Sequence, residues 1–183
     1  MLETNSDGKK LGNIDLTAVN HSWEVGLGQG IRAIVVSTNY GGGIAMFSPD
    51  GVMESSMTTG KAESVELFDL NGSGVSQILT DEVTEWGTGI VIKNFRLYAL
   101  NGRGMKKVWT GLSYKVEAPW QPDQTKIKVQ LLENFIRFDE AGTGHPGRMT
   151  YLTSTGTPGR FRKVEYVMTG LAVHELSGSE VKK

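Results

Sequence analysis

The chain has 183 residues, 38% of them hydrophobic and 21% charged, with a formal net charge of −1. That composition suits one globular domain, or a few small repeated units, and excludes a disordered chain. With no basic excess there is nothing to counter phosphates, which argues against nucleic acid as a partner, and with no cysteine disulfides and thiolate chemistry are excluded.

Residues 1–10 are polar and lack the apolar core of a signal peptide. They fit a natural cytoplasmic start or a mature domain given a new initiator Met. No stretch approaches the roughly 20 apolar residues of a membrane span. Leu11 to Val19 is expected to hold a first strand, with Ile14 and Leu16 on one face. A first unit is expected over about 22–59. In it, Ile31–Ser37 is an apolar, β-branched strand, Asn39-Tyr40-Gly41-Gly42-Gly43 is a turn, Ile44–Ser48 is a strand, and Pro49-Asp50-Gly51 is a hairpin turn from which Val52–Ser55 returns.

A second unit is expected over about 64–112. Val65–Phe68 and Val75–Thr80 are strands around the loop Asp69–Gly74, and Asp81–Gly89 is a longer excursion carrying Trp86. Ile90–Leu100 is a central strand, and Asn101-Gly102 is a hairpin signal from which Met105–Trp109 returns. Pro119-Trp120-Gln121-Pro122 marks a linker. A third unit, over about 126–167, begins with the alternating Lys126–Leu132 and the short Phe135–Phe138, followed by a glycine-rich loop, Ala141–Gly147. Leu171–Leu176 closes the sheet, and 177–183 is a tail. No segment keeps a helical period over ten residues; Met53–Leu67 comes nearest, and Gly60 counts against it.

Two sets of residues recur in the same order. Gly28-Gln29-Gly30-Ile31 and Gly72-Ser73-Gly74-Val75 each feed a strand; Ile44–Gly51 and Phe95–Gly102 each pair a strand with a turn. Gly159-Arg160-Phe161-Arg162-Lys163-Val164 echoes Gly102–Val108 as part of a third copy. Tandem units set the architecture. The expected fold is all-β, about three antiparallel blade-like units in a single domain over 11–176. Closed propellers typically have four to eight blades, so an open or partial propeller or a sandwich is expected.

The segment Asp69-Leu70-Asn71-Gly72-Ser73-Gly74-Val75-Ser76-Gln77 is the main candidate site. Oxygen side chains at 69, 71 and 73 alternate toward one centre, and the Val75 carbonyl can add another hard ligand, as calcium requires. An Asx-type turn, with Asp69 and Asn71 bonding the local backbone, explains the same residues. Here the chain resembles the FG-GAP/VCBS repeat family, the blade units of integrin-type β-propellers and many bacterial surface proteins. Asp69, Asn71, Gly72, Gly74 and Ile78 match that family's motif. Ser73 stands where an Asp is usual and Gln77 where the last carboxylate is usual. The resemblance implies Asp69, Asn71, Ser73, Val75 and Gln77 as a calcium-ligand set with one charged member.

Gly26-x-Gly28-x-Gly30 is followed by a strand, not a helix, so it is no dinucleotide loop. His21, His145 and His174 lack ligand spacing. Asp139-Glu140 with His145 has no nucleophile beside it and reads as a solvated loop. Trp109 closes a strand and belongs to the core. Tyr40, Trp86 and Trp120 fall on expected loops, where they serve as stacking platforms or as lids over the sheet. Arg160, Arg162 and Lys163, alternating with Phe161 and Val164, form the solvated face of a strand and protect an edge. The expected function is a non-enzymatic, extracytoplasmic binding or scaffold module. It would contact protein or glycan through loops at one end of its sheets, Asp69–Gly74, Glu85–Gly89 and Trp120, with calcium as a stabilising ion. The alternatives are a hydrolase using Asp69, Asp81 or Glu82 as acid/base, and a purely structural subunit of a homo- or hetero-oligomer.

Overall fold

The computed structural model describes residues 10–11, 14–118, 130–139, 141 and 146–182. These form fifteen strands, one 3-10 turn and no α-helix. A small hairpin, β1 (Lys10–Leu11) with β2 (Ile14–Asp15), leads through a turn at Leu16–Ala18 into the first main sheet. That sheet is the antiparallel meander β3 (Val19–Gly28), β4 (Ile31–Thr38), β5 (Gly42–Phe47) and β6 (Met53–Thr59). The second has five strands, β7 (Lys61–Phe68), β8 (Gln77–Gly87), β9 (Ile90–Asn101), β10 (Gly104–Glu117) and β11 (Gln130–Glu133). The third is β12 (Phe135–Asp139), β13 (Arg148–Ser154), β14 (Arg160–Thr169) and β15 (Ala172–Lys182). In each main sheet, strands adjacent in sequence are adjacent in space.

The period-2 alternation of a strand explains how the sheets pack. On β8 and β9, Ile78 and Tyr98 face the first sheet and join Leu27, Ala33, Val35, Ile44 and Ala62 in one apolar seam. Their neighbours Leu79, Leu97 and Ala99 face the other way, with Met168, Ile136, Phe138 and Val173 of the third sheet. The second sheet is therefore the middle layer, buried on both faces. Each fully buried aliphatic side chain in such a seam contributes about 1.5–3 kcal/mol. Phe68 and Phe138 stack across the second seam with centroids 3.9 Å apart. Trp109 packs edge-on to Tyr151 and Tyr166 at 5.4 and 5.8 Å, a core position as expected from sequence. The architecture is the all-β one expected, three antiparallel sheets consistent with an open, partial propeller or a sandwich.

Several expected boundaries move. Leu11–Val19 is not one strand, because Leu11 pairs back onto Ile14 in a tight hairpin. The first sheet begins at Val19 rather than Ser22, and the second spans 61–133 rather than 64–112. The excursion at Asp81–Gly89 is mostly strand: β8 runs to Gly87, because its polar side chains find partners within the sheet. Of Lys126–Leu132, residues 126–129 lie outside the described residues. Gln130–Leu132 pairs with β10, so it belongs to the second sheet and not to a third unit. Ser177–Lys182 is no tail; it is paired along β14, and the third sheet covers 135–182 rather than 126–167. Gly159 opens the third strand of its sheet, whereas Gly102–Gly104 opens the fourth of its own, so that echo does not join equivalent places. Arg160, Arg162 and Lys163 lie on β14, an inner strand, and not on an edge. The linker at Pro119–Pro122 lies outside the described residues.

Candidate functional site

The connection between β7 and β8 folds around two side chains. Both carboxylate oxygens of Asp69 accept backbone N–H groups, from Ser73 at 3.1 Å and Gly74 at 2.8 Å. Asn71 Oδ1 accepts the Ser73 N–H at 3.2 Å and the Gln77 amide at 3.3 Å. The same Gln77 amide donates to the Val75 carbonyl at 2.9 Å, while Gln77 Oε1 accepts the Leu70 N–H at 2.7 Å. Ser73 Oγ accepts the Val75 N–H at 3.3 Å. The five residues expected from sequence are thus brought together, as a self-satisfied Asx-type turn. Calcium takes six to eight oxygen ligands, waters included. Here the set has one charged member, and the Gln77 NH₂ points at Asn71 Oδ1 and the Val75 carbonyl, so a donor stands where the ion would need an acceptor and the loop as folded does not fit it. Among the described residues, no group of three or more His, Asp or Glu is placed to hold a metal.

Tyr40 and Trp86 also meet. The β4–β5 turn holding Tyr40 is fixed by Thr38, whose hydroxyl accepts the N–H groups of Tyr40 and Gly41 at 3.2 and 3.1 Å. Trp86 sits near the end of β8, paired with Val91 on β9. The rings lie 6.3 Å apart, tilted by 32°. They are 80% and 49% exposed, so two large aromatic groups from two sheets share an open surface rather than a lid over the sheet. Asn39, Glu85 and Thr88 are exposed beside them in sequence, and Asn20 donates to Asn39 Oδ1 at 2.6 Å. Trp120, His145 and Glu140 lie outside the described residues. Strand β8 separates the two candidate regions: the Asp69 loop enters it at Gln77, and Trp86 lies nine residues along, about 30 Å at strand rise. Asp69–Gly74 and Glu85–Gly89, grouped by sequence at one end of the sheets, therefore lie at opposite ends of β8.

Compared with protein-family models, curated proteins and solved structures, the chain finds no match.

The carboxylates considered for acid/base chemistry are differently placed. Glu82 is fully buried. Its Oε1 accepts Thr80 Oγ1 at 2.6 Å and Tyr98 OH at 2.7 Å; its Oε2 accepts the Gly60 N–H at 2.6 Å and Arg96 Nη1 at 2.7 Å. A carboxylate with four donors and no exposed surface has no substrate to reach. Burial, and then the Glu82 charge, push the Tyr98 phenol well above its ordinary value. Asp81 points to the opposite face, where Ser113 Oγ donates to it at 2.5 Å. Burial raises its pKa, opposed by that hydrogen bond and by Lys93, which is itself paired to Glu63 at 2.6 Å. Sequence reasoning named Glu82 but missed its partners Gly60, Thr80, Arg96 and Tyr98. They come from two strands, β8 and β9, and the turn at Gly60, and no local spacing joins all four.

Proposed function

We propose that this protein is a non-enzymatic binding module that holds a glycan on the Tyr40–Trp86 surface. The observation that carries the reading is the side-by-side exposure of those two rings, one on a turn held by the Thr38 hydroxyl and one on a strand paired with β9. An aromatic face is electron-rich, and the C–H face of a pyranose ring offers the matching partial positive charge. Nearby amide, hydroxyl and carboxylate groups at Asn39, Thr88 and Glu85 supply the polar contacts that orient a sugar. A platform on preformed turns loses little entropy on binding. Such a module suits an extracytoplasmic setting, where glycans are displayed.

The test is binding of the purified chain to immobilised glycans, with a peptide library alongside. Tyr40→Ala and Trp86→Ala should each weaken glycan binding at least about tenfold, roughly 1.4 kcal/mol, with little change in melting temperature because both side chains are exposed. A lack of glycan binding, or binding indifferent to both substitutions, would reject the proposal. Capture of peptides alone would replace the glycan with a protein partner.

A further inference from the structure

We infer that the Gln77 amide takes the place of a cation in the 69–77 loop, so that the clasp joining the three sheets closes without metal. Gln77 is only 2% exposed, and its orientation is fixed by chemistry. The Leu70 N–H can only donate, so the side-chain oxygen lies there; the Val75 carbonyl can only accept, so the NH₂ lies there. The NH₂ hydrogens therefore point at the Val75 carbonyl and Asn71 Oδ1, two of the oxygens a cation would draw together. Asp69 does not need the ion either, since it closes over the Ser73 and Gly74 amides. A cation entering this space has to displace the Gln77 amide and break its bonds.

What the closure holds is more than one turn. Toward the first sheet, the Ser76 N–H donates to the Leu27 carbonyl at 2.7 Å and Gln29 Nε2 to the Ser73 carbonyl at 3.3 Å. Toward the third, Ala141 N–H donates to the Asp69 carbonyl at 3.1 Å, Gly147 N–H to the Leu70 carbonyl at 2.9 Å, and Asn71 Nδ2 to the Gly170 carbonyl at 3.3 Å. A loop of the middle sheet thus ties both outer sheets, and its shape depends on the amide at its centre.

A carboxylate at 77 would place a second negative oxygen against Asn71 Oδ1 and the Val75 carbonyl with no donor between them. Gln77→Glu should therefore turn a metal-indifferent protein into a cation-dependent one. The experiment is a thermal melt of the full chain in chelator, in millimolar magnesium and in millimolar calcium. The unsubstituted chain should melt at the same temperature in all three. Gln77→Glu should melt at least about 5 °C lower in chelator and regain part of that loss specifically in calcium. Gln77→Met, similar in size but without donors, should also melt lower and gain nothing from calcium. A calcium-specific rise in the unsubstituted chain overturns the inference, as does Gln77→Met or Gln77→Glu with unchanged stability in chelator. Should Gln77→Glu fail to fold in every buffer, the unsubstituted chain and Gln77→Met decide between these outcomes.

Discussion

Glu82 and Asp81 are sequence neighbours with opposite fates, because successive side chains on a strand face opposite sides. Glu82 points into the first seam and survives burial through its four donors, including the Arg96 guanidinium. Losing one partner of such a buried pair is far costlier than the pair itself is stabilising. Asp81 has fewer donors, and burial lifts its carboxyl above the ordinary 3.8. The folded state therefore binds that proton more tightly than the unfolded chain does. Below the unfolded value the contribution to stability is fully present, and it is lost as pH rises through the raised folded value. Asp81→Asn keeps an oxygen for the Ser113 hydroxyl and removes this loss. Relative to the unsubstituted chain, the variant should gain melting temperature at pH 7 and gain none at pH 3. A constant difference across that range would assign the pH dependence to another group. Tyr151, pushed up to about 12 chiefly by burial, stays a neutral donor throughout and holds the Leu112 carbonyl at 2.6 Å.

At the scale of elements, β4, β5 and β9 were legible because burial writes itself as apolar runs. All six positions in Gly42–Phe47 are Gly, Ala or apolar, and the whole strand is buried. β3 and β15 were illegible or truncated for the converse reason. They are edge strands with many exposed polar positions, and only pairing with β4 and β14 marks them as strands. The end of β8 was misread because Asp81, Glu82 and Thr84 imitate a loop composition while bonding inside the sheet. The Asp69 loop was legible in its residues, since their spacing is local. The closeness of Tyr40 and Trp86 was not, since it depends on how two sheets pack. The recurring glycines also carry a consequence beyond their own turns. Gly28 has φ +103°, and a Cβ there would collide with the Gly74 carbonyl oxygen in the corresponding loop of the next sheet. Gly28→Ala should cost about 2–4 kcal/mol through strain and lost sheet contact. Gly102 also has positive φ, at +61°, but nothing lies within 4 Å of the added methyl. Gly102→Ala should cost only about 1 kcal/mol. Urea unfolding of the two variants separates them; equal losses would mean that backbone conformation alone, and not the inter-sheet contact, sets the cost at Gly28.

The whole molecule is a stack with a shared middle and a finished end. On the outer face of the third sheet, Phe135, Arg137, Thr150, Leu152, Lys163 and Glu165 line an open cleft of about 380 Å³. Arg137 pairs with Asp139 at 3.3 Å and Lys163 with Glu165 at 2.9 Å on that face. Packing a further sheet there would strip water from both pairs, which favours ending the stack at this layer. The inward side is different: both seams draw on the same strands, β8 and β9, so neither outer sheet can leave without exposing one face of the middle one. The loop bonds of the Asp69 clasp reinforce that dependence. Unfolding should then be a single transition, with calorimetric and van't Hoff enthalpies in agreement. Trp109→Ala removes the ring that meets Tyr151 and Tyr166 across the second seam and should cost about 3–5 kcal/mol. The decisive feature is how that loss is distributed. With a shared middle layer, the variant should keep one transition, shifted to lower temperature. If the third sheet were merely attached, the variant would instead melt in two steps, and hydrogen exchange would quicken in β12–β15 while β4, β5, β8 and β9 stayed protected.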